Sequence, residues 1–84
     1  MSHNEEMVIR IVQDVVLKLY KDKVTLQSKL RDHLGIDSIN MIAIAAHLKE
    51  EGYDVISVSG EYDFATVETV KDIVDIINEM QPQV

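Results

Sequence analysis

A chain of 84 residues has room for one small domain and little room for an enclosed active site. Its composition, 46% hydrophobic and 27% charged with one proline and three glycines, excludes a disordered tail or a low-complexity linker. Fifteen acidic against eight basic residues give a net charge of −7, which repels nucleic acid and anionic membrane and favours basic proteins as partners.

In the first element, Met7, Val8, Ile11, Val12, Val15, Val16 and Leu19 recur along one helical face, predicting a helix over about 3–20. Ser2 followed by Glu5 has capping-box spacing, and Lys18, Lys21 and Lys23 suit the negative end of the helix dipole. From 21 to 37 the apolar residues Val24, Leu26, Leu30 and Leu34 are too sparse for a long helix, but they suffice to pin a connector onto the core. Lys29, Arg31, Asp32 and His33 in this connector could meet a ligand, although solvated charges are the ordinary reading.

The connector ends in Leu34-Gly35-Ile36-Asp37-Ser38-Ile39-Asn40, which predicts a helix over 38–51. Asp37 is a good N-cap, able to accept the backbone N–H of Asn40 or Ile39, and Ser38 opens the helix pointing outward. A phosphate ester on that hydroxyl would lie where helix starts favour anions. Plain capping without chemistry fits the same local pattern.

Residues 39–46 contain one polar side chain, Asn40. At about 100° per residue, Met41, Ile44, Ala45 and Leu48 form one stripe, while Ile39, Ile42, Ala43 and Ala46 form another turned away from it. The first stripe is expected in the core. The second, beside Ser38, is expected to be partly exposed as a docking surface, although a dimer interface or a central helix would show the same pattern. His47 reads as a solvated residue, and Gly52 ends the helix.

Between Gly52 and Gly60 the residues Tyr53, Val55, Ile56 and Val58 could suggest a strand. No partner strand is evident, so an extended loop is expected. A short helix over 61–65 follows, with Tyr62 and Phe64 as core plugs. Thr66 would then cap a last helix over 66–80, with Val67, Val70, Ile73, Val74, Ile77 and Met80 inside, Asp72, Asp75 and Glu79 outside, and Pro82 beyond its end. The expected architecture is all-α: a single domain over 1–84, built as a small four-helix bundle of three main helices and one short one.

No run approaches the roughly 20 apolar residues of a membrane span, and no charged-then-apolar leader is evident, which predicts a soluble, cytoplasmic protein. His3, His33 and His47 are widely spaced and no cysteine is present, so no metal site is expected and any thiol chemistry must arrive on an added group.

The layout resembles an acyl carrier protein or the related peptidyl carrier domain over nearly the whole chain. Leu34-Gly35-Ile36-Asp37-Ser38-Ile39 is similar to the family's signature around its modified serine, with Ile39 where leucine is commoner. Tyr62-Asp63-Phe64-Ala65-Thr66-Val67 is similar to the stretch that opens the family's last helix. The resemblance implies that Ser38 receives 4′-phosphopantetheine from coenzyme A through a magnesium-dependent phosphopantetheinyl transferase, with Asp37 supporting recognition. The chain would then be a monomeric carrier rather than an enzyme, holding acyl or aminoacyl thioesters. Its partners would be an acyl or aminoacyl ligase or acyltransferase, and synthase or condensing enzymes. Ile39, Asn40, Ile42, Ala43 and Ala46 would meet these partners.

Fatty-acid-synthesis carriers typically place acidic residues just after the serine, where this chain has Asn40, Met41, Ala43 and Ala46. That departure favours a polyketide or nonribosomal-peptide pathway over housekeeping lipid synthesis. The rival reading is a helical adaptor that binds a partner through the apolar face of the second helix. A serine esterase using His33 or His47 fits less well, because the Gly-x-Ser-x-Gly elbow is absent around Ser38.

Overall fold

The computed structural model describes residues 2–16 and 18–80. Five α-helices run in the order α1 (His3–Val15), α2 (Ser38–Glu50), α3 (Val55–Ser59), α4 (Glu61–Ala65) and α5 (Val70–Glu79), with a 3₁₀ helix at Lys18–Lys23 between α1 and α2. Among the described residues the only extended pairing is an isolated antiparallel bridge between Lys29 and Thr69. The expected all-α class therefore holds at the level of helices without a sheet. The side chain of Tyr62 and the position of Pro82 lie outside the described residues.

Three helices begin with reciprocal capping boxes, which satisfy N–H groups that a helix start leaves unpaired. Ser2 pairs with Glu5, Asp37 with Asn40, and Thr69 with Asp72. The helices pack through their apolar stripes: α1 lies against α2 and α5, and α2 also meets α3 and α4. Met7, Val8, Ile11 and Val12 of α1 close over Val70, Ile73, Val74 and Ile77 of α5, while Met41, Ile44, Ala45 and Leu48 of α2 complete the core. The connector adds Val24, Leu30, Leu34 and Ile36, all buried, as its spacing predicted for three of them.

Several boundaries differ from those expected. The first helix ends at Val15 rather than near residue 20, because Val16 adopts an extended conformation with ψ 159°. Lys18, Lys21 and Lys23 therefore belong to the 3₁₀ helix and not to the last turn of α1. Leu19, expected on the apolar face, is instead 73% exposed. Helix α2 ends one residue early, with Glu51 as its C-cap.

The segment expected as an extended loop contains α3, whose start is held by Asp54 accepting the Ser57 backbone N–H at 3.3 Å and the Ser57 hydroxyl at 2.9 Å. Gly60, at φ +86°, turns the chain from α3 directly into α4, a left-handed conformation that side chains disfavour. The last helix begins at Val70 and not at 66, and its cap is Thr69 rather than Thr66. Thr66 instead closes α4 by donating its hydroxyl to the Asp63 carbonyl at 3.0 Å. Among the described residues the short and long α-helices number five, one more than the three main and one short helix expected.

The start of α5 is also tied to the distant connector. Val70 N–H donates to the Ser28 carbonyl at 3.2 Å and Lys71 N–H to the Leu26 carbonyl at 2.9 Å. Buried Ser28 holds that connector in shape, its hydroxyl donating to the Lys23 carbonyl and accepting from Thr25 N–H, each at 3.0 Å. These bonds fix the floor from which the segment leading to Ser38 departs.

Candidate functional site

Ser38 is the first residue of α2 and is exposed. Asp37 before it accepts the Asn40 backbone N–H at 2.9 Å, and the Asn40 side-chain oxygen accepts the Asp37 N–H at 3.2 Å. Of the two partners the sequence left open for Asp37, Asn40 is therefore the one used. This reciprocal pair fixes the backbone beneath Ser38. It also engages Asn40, a half-buried residue, in capping.

The approach to Ser38 is a tight turn. His33 N–H donates to the Lys29 carbonyl at 2.9 Å, and the His33 Nδ1 accepts the Lys29 N–H at 2.9 Å. Gly35 N–H reaches the Arg31 carbonyl at 3.2 Å, and Ile36 N–H the Leu30 carbonyl at 2.9 Å. Gly35 at φ +65° allows this wrap, in which Leu30, Leu34 and Ile36 point into the core while Arg31 is left outside.

Arg31 then reaches back across the turn. Its Nη2 donates to Ser38 Oγ at 3.3 Å and to the Ala65 carbonyl at the end of α4 at 3.2 Å. The serine hydroxyl thus faces a guanidinium. His33 spends its Nδ1 on the connector backbone, and His47 lies exposed in the last turn of α2.

On the outer face of α2, Ile39 is 76% and Ile42 45% exposed, and Ala46 is exposed while Ala43 is half-buried. Since residues three apart share a helix face, Ile39 and Ile42 form an apolar step next to Ser38. The opposite stripe of Met41, Ile44, Ala45 and Leu48 is buried, the division that helical spacing predicted.

Arg31 also lines a cleft of about 460 Å³, together with Lys29, Asp32, Thr66, Val67 and Glu68. Lys29, Arg31 and Asp32 were recognisable as connector charges, but their convergence with 66–68 was not. That convergence depends on the Lys29–Thr69 bridge between segments far apart in sequence. Among the described residues no cluster of three or more histidine and carboxylate side chains could hold a metal ion, and no helix is long and apolar enough to cross a membrane. Comparison of the chain with protein families, with curated proteins and with solved structures finds no match.

Proposed function

We propose that the chain is a carrier protein modified on Ser38 by 4′-phosphopantetheine, which holds acyl or aminoacyl groups as thioesters for partner enzymes. The observation that carries this reading is the surroundings of Ser38: an exposed hydroxyl on a backbone fixed by the Asp37–Asn40 box, with a guanidinium beside it and an apolar step next to it. Exposure lets a separate transferase reach the hydroxyl. The guanidinium and the helix start both favour the phosphodiester that results. In that transfer Ser38 Oγ loses its proton, bonds to the phosphorus of coenzyme A that bears the pantetheine, and releases the nucleotide half.

Ile39 and Ile42 would supply the apolar part of the partner surface, with Ala46 at its far end. A neutral face of this kind suits a polyketide or nonribosomal-peptide pathway better than enzymes that read acidic carriers. Residues Asp37 and Ser38 would be the transferase's recognition point, and the acyl or aminoacyl ligase, acyltransferase and condensing enzymes would follow at the same end of α2. A hydrolase built on Ser38 would need a base within hydrogen-bond reach, and the partner found there is Arg31, which is always protonated.

The exposure of Ile39 and Ile42 also favours an adaptor that docks a partner on α2 without chemistry at Ser38. Intact-protein mass after incubation with coenzyme A, magnesium and a permissive phosphopantetheinyl transferase separates the two. One phosphopantetheine adduct on wild type and none on Ser38→Ala is the expected result. No adduct on folded wild-type protein with several transferases overturns the carrier in favour of the adaptor.

A further inference from the structure

Arg31 belongs to two places at once. Its Nη2 touches Ser38 Oγ and the Ala65 carbonyl, and the same residue lines the cleft shared with Lys29, Asp32, Thr66, Val67 and Glu68. Resting on the carrier reading above, we infer that Arg31 grips the phosphodiester on Ser38 and steers the attached neutral arm into this cleft, away from the Ile39–Ile42 face.

The chemistry of the lining supports that course. Esterification replaces the hydroxyl proton of Ser38 with a phosphorus bearing two non-bridging oxygens. A guanidinium 3.3 Å from Oγ reaches one of them with a small side-chain movement. Arginine stays charged at any ordinary pH and presents a planar fork that matches phosphate oxygens. Among the described residues the ion pairs are Lys49–Asp54 and Lys71–Asp75, so Arg31 is not already neutralised by a carboxylate at contact distance.

The cleft as a whole is mixed in character. Asp32 and Glu68 offset the charges of Lys29 and Arg31, while half-buried Val67 offers aliphatic surface and the Thr66 oxygen can still accept a hydrogen bond. Amides, a hydroxyl and methyl groups match such a lining better than free phosphate does. At about 460 Å³ the cleft falls within the roughly 300–1,000 Å³ typical of small-ligand sites. Ile39 and Ile42 would then stay open to a partner while the arm is at rest.

The chain contains no cysteine, so a nitroxide attached through the thiol of the modified protein labels the arm alone. Paramagnetic broadening of backbone amide signals then reports where the arm lies. The expected result is loss of intensity at Thr66, Val67 and Glu68 exceeding that at Ile42 and Ala46. Arg31→Gln should reduce the loss at 66–68 to the level at Ile42, and Arg31→Lys should restore part of it. Broadening centred on 39–46, or a pattern unchanged in Arg31→Gln, overturns the inference while leaving the carrier intact. Failure of the wild type to take any adduct overturns both. Because the guanidinium also bonds the Ala65 carbonyl, the unlabelled Arg31→Gln spectrum is compared first; the Arg31→Lys pattern decides the outcome if the Gln variant unfolds.

Discussion

Lys29 and Thr69 pair their backbones in an antiparallel bridge that ties the connector to the entrance of α5. Leu30 N–H reaches the Glu68 carbonyl at 2.8 Å on one side of it, and Val70 N–H the Ser28 carbonyl at 3.2 Å on the other. Thr69 is also the N-cap, its hydroxyl oxygen accepting the Asp72 N–H at 3.2 Å. Thr69→Ala is therefore expected to cost about 1 kcal/mol of stability by urea titration. Thr66→Ala should cost less, since Thr66 serves only the end of α4. A larger loss for Thr66→Ala would place the cap wrongly.

Phe64, at 1% exposure, is the largest of the fully buried side chains among the described residues. Its replacement by alanine should destabilise the fold by about 3–5 kcal/mol, through lost burial and the cavity left behind. Ile39→Ala, at a residue 76% exposed, should change stability by no more than about 0.5 kcal/mol. Denaturant unfolding of both variants checks the contrast, and similar losses would contradict the orientation of α2.

Ile39→Asp tests the apolar step beside Ser38 as a contact surface. The substituted protein should stay folded yet take up phosphopantetheine from a permissive transferase with kcat/KM lower by about tenfold, the scale of one well-packed interface side chain. Adduct formation followed by mass against time reads this directly. An unchanged rate would remove Ile39 from transferase contact.

The Ser2 backbone N–H, then the Ser2 side chain, hold the Glu5 carboxyl below its ordinary value. A group whose folded pKa is depressed contributes stability above its unfolded pKa, and that contribution is lost as pH falls through the folded value. Glu5→Gln should therefore flatten the acid limb of the melting temperature below about pH 4.3 and lower stability slightly above it. Parallel acid limbs for wild type and variant would show that the α1 box does not set this dependence.

What was legible in the sequence was what local chemistry decides. The two stripes of α2 follow from helical spacing, and the Asp37–Asn40 cap is a matter of three adjacent peptide units. The end of α1 was not legible, because Val15, Val16 and Leu19 continue the apolar period without a glycine or proline to stop it. At the entrance to α5 the expected cap was Thr66, and the signal missed was Asp72 three residues beyond Thr69, the capping-box spacing that marks the true start. The approach of Arg31 to Ser38 depends on the Gly35 turn and the distant Ala65 carbonyl, neither of which a linear pattern encodes.

Two isoleucines facing solvent also set how the molecules behave in concentrated solution. At neutral pH the net charge of −7 opposes close approach of two chains and so works against contact between the Ile39–Ile42 step and its copy on another molecule. Near the isoelectric point of about 4.7 that repulsion fades while the apolar step remains. Colloidal stability is thus expected to depend on the net negative charge, and self-association is expected to rise in mild acid, near the isoelectric point, before the fold is lost.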